Sequence, residues 1–223
     1  MSATLAQAPA AGETRQLFVA GPAGRIETLL AAPRQAPTAV CVVCHPHPLF
    51  GGAMSNKVVY SLASSALQAG ALTARFNFRG VGQSEGVHDH ARGEIDDTVA
   101  VVEWLRRLLP GAPLALAGFS FGAYVSLAAE ARLAPALMLS VSVPLSGEYI
   151  DGAAPPPRPG CPWLALHGTG DEVVDYERTR AALLAYQPPP RLATLEGAGH
   201  FYHGRLTELQ QLVLPFLQEQ LPA

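Results

Sequence analysis

The sequence predicts an α/β domain, a mostly parallel sheet with helices on both faces. Three observations predict it. Short apolar runs alternate with longer segments of helical periodicity, the order that builds βαβ units. The runs are apolar throughout rather than at every second residue, as strands covered on both faces must be. One of them, Leu114 to Ala117, enters Gly118-Phe119-Ser120-Phe121-Gly122, a G-x-S-x-G turn followed by the helix formers Ala123 to Ala131.

The elements follow in order. Gln16 to Ala20 and Ile26 to Ala31 read as strands around Gly21-Pro22-Ala23-Gly24, a hairpin turn. Thr38 to Cys44 is a buried, largely β-branched strand. It runs into His45-Pro46-His47-Pro48-Leu49-Phe50-Gly51-Gly52, a loop too rich in proline for helix or strand. Ser55 or Asn56 can cap a helix reaching Gln68, with Gly70 as its stop. Ala71 to Phe78 is a strand, and a loop follows it through His90. Glu94 to Leu109 sets Ile95, Val99, Val102 and Leu105 on one helical face, with acidic residues in its first turn. Beyond the central strand and helix, Ala136 to Val143 is a strand and Pro144 to Pro159 a proline-rich connection. Trp163 to His167 is a strand, Tyr176 to Tyr186 a helix, and Arg191 to Glu196 a strand. Arg205 to Gln220 is a helix expected to bend at Pro215.

A chain of 223 residues, 49% of them hydrophobic, can bury one sizeable core. The expectation is a flexible tail over residues 1–13 and a single domain over 14–223. Net charge is −3, so the chain has no electrostatic footprint for nucleic acid or an anionic membrane. Lys57 is the only lysine and no P-loop is present. Gly80-Val81-Gly82 lacks the third glycine of a dinucleotide fingerprint. Cys41 and Cys44 form a C-x-x-C, but three residues apart on a strand they point to opposite faces. They are read as core, with Cys161 also unpaired, which suits a reducing, cytoplasmic compartment. No signal peptide and no stretch long enough to span a bilayer is read. Nothing sets the oligomeric state, and a monomer is compatible with the sequence.

In an open parallel sheet, ligands bind beyond the carboxyl ends of the strands, so functional residues should follow strands. Ser120 does. A serine hydroxyl needs a base, and the base an orienting acid. Leu164 to Leu166 leads into His167-Gly168-Thr169-Gly170-Asp171-Glu172, and Leu192 to Leu195 into Glu196-Gly197-Ala198-Gly199-His200. Ser120, Asp171 and His200 therefore occur in the order Ser…Asp…His, each after a strand. Glu172 and Asp175 are the competing acids and His203 the competing base. His167 reads as a strand-end histidine with its own hydrogen bonds.

These residues carry a resemblance. HPHPLFGGAMSNKVV (His45 to Val59), NFRGVGQSEG (Asn77 to Gly86), GFSFG, HGTGDEVV (His167 to Val174) and GAGHFYHG (Gly197 to Gly204) resemble a small bacterial α/β-hydrolase of the lidless, dienelactone-hydrolase-like kind. The resemblance implies the α/β-hydrolase fold, an eight-stranded sheet with its first pair antiparallel, and no metal or organic cofactor. It departs from true dienelactone hydrolases, whose nucleophile is cysteine, so their substrate is not carried over.

The oxyanion hole should draw one backbone N–H from Phe121, the residue after the nucleophile. The second belongs to the loop over His45 to Gly52, where Pro46 and Pro48 have none to give. The family's turn places it on His47, with Leu49 the alternative if the turn is longer. His47→Ala should then keep most activity, while His45 shapes the turn through its side chain. Pro144 to Pro162 is too short for a multi-helix cap. An open substrate cleft shaped by His45, Leu49 and Phe50 is expected, suited to small or exposed acyl groups. His45-x-His47 and His88-Asp89-His90 match no metal-site spacing. Arg79 is read as tying loops to nearby acids. The function implied is a serine esterase or thioesterase acting on a small-molecule substrate. A peptidase or acyltransferase on the same residues, or a non-catalytic binding member of the fold, is the alternative.

Overall fold

The computed structural model describes residues 8–145 and 154–222. The chain begins with an antiparallel hairpin, β1 (Thr14–Gly21) and β2 (Gly24–Ala31), with Gly21 opposite Gly24. β3 (Ala39–Cys44), β4 (Ala71–Phe76), β5 (Leu114–Phe119), β6 (Leu137–Val141), β7 (Trp163–Gly168) and β8 (Arg191–Leu195) follow, all parallel to one another. The sheet order is β1-β2-β4-β3-β5-β6-β7-β8, and β2 meets β4 antiparallel. This is the eight-stranded α/β-hydrolase sheet that the resemblance implies.

Among the described residues, five α-helices cover it: α1 (Lys57–Gln68), α2 (Arg92–Leu108), α3 (Phe121–Leu133), α4 (Tyr176–Leu184) and α5 (Leu206–Gln220). Alternation along β3 sorts the core into two layers. Val40, Val42 and Cys44 pack with Val102 and Leu105 of α2 and Val125 of α3. Cys41 and Val43 pack with Val59 and Leu62 of α1 and Val213 and Phe216 of α5. The two strand cysteines thus lie in different layers, and burial pushes both thiols up to about 12.

Several boundaries differ from those read in the sequence. The proline-rich loop after β3 contains a 3-10 turn, Pro48–Phe50, where no helix is expected. Pro48 occupies its first position, where a missing N–H is harmless and the fixed φ helps. α2 starts at Arg92, two residues early, from Ala91 in a left-handed conformation (φ 74°). Beyond Phe76 the Asn77 N–H still donates to the Glu27 carbonyl of β2, and the chain leaves the sheet where the Phe78 N–H turns to the His45 ring. Asn56, not Ser55, caps α1 by accepting from Val58 and Val59. α5 runs through Pro215. Of the expected tail, Met1 to Gln7 lies outside the described residues. From Gly12 on, the chain bonds to the domain: Gly12 N–H donates to Pro33 O, and Ala32 N–H to Glu13 O. In the connection expected between β6 and β7, residues 146–153 lie outside the described residues, and 154–162 form no helix. No described helix is long and apolar enough to cross a membrane.

Candidate active site

Ser120 sits where β5 turns into α3, with φ 53° and ψ −125°. A residue bearing a side chain rarely adopts this region. The turn is held from both ends. Ser120 N–H donates to Val141 O at 2.8 Å, and its carbonyl accepts from Ala123 and Tyr124. The flanking glycines allow the close approach. A Cβ on Gly118 would stand 2.2 Å from Gly122 O, and one on Gly122 would stand 2.4 Å from the carbonyl oxygens of Cys44 and His45. The elbow therefore closes on itself only with glycine at 118, and onto the end of β3 only with glycine at 122.

Ser120 Oγ lies 3.1 Å from His200 Nε2. His200 Nδ1 lies 2.9 Å from Asp171 Oδ2 and 3.0 Å from Oδ1. The imidazole and carboxylate are 3% and 0% exposed. Val173 and Val174 donate their N–H groups to Asp171 Oδ1. Burial works against ionising Asp171. The contacts of His167 and His200 and the Val174 N–H outweigh it and hold the carboxyl well below the usual carboxylate range. An ionised Asp171 can only accept, so the His200 proton sits on Nδ1 and Nε2 turns its lone pair toward Ser120.

The competing groups are engaged elsewhere. Glu172 accepts the backbone N–H of His200, at 3.1 Å, and does not meet its ring. Asp175 caps α4 by accepting from Arg178. His203 is exposed, with the Phe201 ring 5.9 Å away.

The chain matches, over residues 23–156, the model of a family described as X-Pro dipeptidyl-peptidase (S15 family). It is similar to XC6422 from Xanthomonas campestris, an α/β serine hydrolase without a lid: 36% identity, TM-score 0.87, 96% of this chain and 99% of that one covered. An α/β serine hydrolase homologue from Coxiella burnetii is 38% identical, with TM-score 0.85 over 91% of this chain and 97% of its own. An uncharacterized protein of Rickettsia prowazekii is 32% identical over 91% of this chain and 88% of its own length. The chain belongs to the lidless α/β serine hydrolases.

In this hydrolase the loop after β3 departs from expectation in its side chains. His45 does not line a cleft: it is 0% exposed. Its Nδ1 stands 2.6 Å from Pro46 O, and its Nε2 stands 3.0 Å from Phe78 N. Nε2 must accept from the Phe78 N–H, so Nδ1 carries the proton and the ring is neutral. Burial pushes its pKa down to about 4. Between that value and the unfolded one, near 6.5, the unfolded chain binds the extra proton. Stability should therefore be complete above about pH 6.5 and fall by about 3 kcal/mol as the pH drops to about 4. Urea melts of the parent and of His45→Gln across this range check it, the variant being expected to lose this slope.

Leu49 and Phe50 stand at the rim, 67% and 78% exposed. The Leu49 N–H donates to His47 Nδ1. The His47 ring lies 4.8 Å from that of Phe121. Arg79 binds Asp97 through Nε and Nη2, at 3.0 and 2.8 Å, and pins the loop after β4 to α2. A cavity of about 330 Å³ opens beside the site, lined by Gly51, Lys57, Phe201 and His203 among others. A larger one, about 660 Å³, lies at the opposite end of the sheet, between Arg34, Gly70 and Pro222, away from Ser120.

Three neighbours of the site were not assigned a part from sequence. His167 Nε2 is 3.3 Å from Asp171 Oδ2 as well as 2.9 Å from Val174 O. Its spacing in HGTGD was the available signal. His88 and Glu94 pair behind Phe121, and no linear pattern marks them.

Proposed function

We propose that this protein hydrolyses small carboxylic esters or thioesters through an acyl-enzyme on Ser120. The observation that carries this is the continuous chain Ser120–His200–Asp171, with the lone pair of Nε2 aimed at the hydroxyl. Ser120 Oγ attacks the carbonyl carbon while its proton passes to His200 Nε2, and Asp171 stabilises the imidazolium. The tetrahedral intermediate collapses, and the departing alkoxide or thiolate takes that proton. Water, deprotonated by the same nitrogen, then releases the acid.

The oxyanion is assigned to the N–H groups of Phe121, at the start of α3, and His47. What supports His47 over Leu49 is that the Leu49 N–H already donates to the His47 ring. That ring therefore caps the turn and packs on Phe121. His47→Ala is accordingly expected to cost about tenfold in kcat rather than leave activity intact, the main-chain donor remaining but less well aimed. Steady-state kinetics on one aryl ester decides.

Exposed Leu49, Phe50, Val87 and Phe201 stand on the loops after β3, β4 and β8. They give an apolar rim suited to the hydrocarbon part of a small substrate. Labelling with a fluorophosphonate should modify Ser120, read by peptide mass spectrometry. Aryl esters of increasing acyl length should then be cleaved best at short lengths. The family description also favours a peptidase reading. An X-Pro anilide in the same assay separates the two, and turnover of the anilide above that of the esters would replace the esterase assignment.

A further inference from the structure

We propose that the His88–Glu94 pair is a positioning device for the oxyanion hole, acting through the Phe121 and His47 rings; this rests on the Ser120 mechanism above. Phe121 is buried, and its ring is enclosed by three others. The centroid of His47 is 4.8 Å away, that of His88 5.6 Å and that of Phe78 5.9 Å. His47 and His88 are themselves 4.9 Å apart, so His47, His88 and Phe121 form a closed triangle. Two corners of that triangle are the residues whose backbone N–H groups are assigned to the oxyanion. The third corner, His88, has no part in the proton transfers.

His88 Nδ1 lies 2.9 Å from Glu94 Oε1, with the two side chains 8% and 0% exposed. The contact is close, although its geometry is not that of a hydrogen bond. Glu94 Oε1 also accepts the Asp89 N–H, while Oε2 has no hydrogen-bond partner. A fully buried carboxylate with one oxygen unsatisfied is a poor choice for stability alone. A well-packed apolar pair would serve at least as well. What the pair supplies is a fixed ring. Glu94 belongs to α2, whose Asp97 also grips Arg79, so one helix anchors the loop after β4 at two points. With His88 held, the Phe121 ring cannot swing, and the N–H one residue beyond Ser120 keeps its aim. Placement errors of an ångström at such donors are costly in rate.

The test uses Glu94→Gln, which keeps shape and the Asp89 acceptor but replaces the carboxyl group facing His88, and His88→Phe, which keeps a ring against Phe121 without the contact. An aryl trifluoromethyl ketone forms a hemiketal on Ser120 and places an oxyanion in the hole; the matching methyl ketone reports ground-state binding. Each variant should lower kcat about tenfold with KM unchanged, and raise the trifluoromethyl ketone Ki by the same factor. The methyl ketone Ki should stay where it is, and the double variant should be no worse than either single one. Unchanged kcat and Ki in a folded variant would overturn the proposal. Equal weakening of both ketones, or loss of fold in both variants, would mark the pair as structural and overturn it too. A parent protein that the trifluoromethyl ketone fails to inhibit overturns the Ser120 mechanism itself, and this proposal with it.

Discussion

Ser120→Ala is expected to lower kcat/KM for a simple aryl ester by on the order of 10⁴ to 10⁶, with the melting temperature held or raised. The hydroxyl is the attacking atom and its neighbours cannot replace it. Because His200 and the hydroxyl work as one unit, His200→Ala should cost about as much, and the double variant hardly more. Stopped assays with purified variants and an active-site titration check this. A Ser120→Ala protein turning over at the parent rate would end the mechanism. The backbone at Ser120, with φ 53°, is strained for serine and for alanine alike, so the substitution leaves the strain unchanged.

The second large effect is expected at Asp171. Asp171→Asn should reduce kcat about 10⁴-fold. An asparagine amide can donate to His200 Nδ1, which moves the ring proton to Nε2 and turns an N–H, not a lone pair, toward Ser120 Oγ. In the parent, the two histidines and the backbone keep Asp171 ionised far below neutral pH. The acid limb of kcat/KM should therefore follow protonation of an imidazole, with no carboxylate titration between it and about pH 4. The sign for stability follows from the same shift. A depressed carboxyl contributes above its unfolded value, near 3.9, and loses that contribution only as pH falls below it. Asp171→Asn should thus flatten the acid-denaturation curve below about pH 4, while leaving the limb assigned to His45 in place. Paired pH–rate and pH–stability profiles of parent and variant check both.

Much of the site was legible because its signals are local. G-x-S-x-G demands small residues where the elbow meets β3, and the clash at Gly122 with Cys44 and His45 shows the physical origin of that demand. Loops after β7 and β8 place Asp171 and His200 beside Ser120 because parallel strands end on the same edge. Side-chain destinations were less legible. His45 read as a cleft residue, yet its ring is enclosed because Phe78, more than thirty positions on, needs an acceptor for its N–H. The turn at Pro48–Phe50 was missed because two prolines argue against helix in general, but not against one in the first position of a single turn.

The sequence by itself determined the α/β class, the alternation that sends Cys41 and Cys44 into different core layers, and the elbow around Ser120. Each rests on periodicity or on the steric needs of residues a few positions apart. Only the tertiary structure decided that Glu172 serves the His200 backbone while Asp171 meets its ring, and that His167 shares the same carboxylate. It also decided that His88 and Glu94 meet behind Phe121. The reason is physical: hydrogen bonds and buried charges are satisfied by whichever group the packed chain brings within about 3 Å, and linear spacing by itself does not fix that distance.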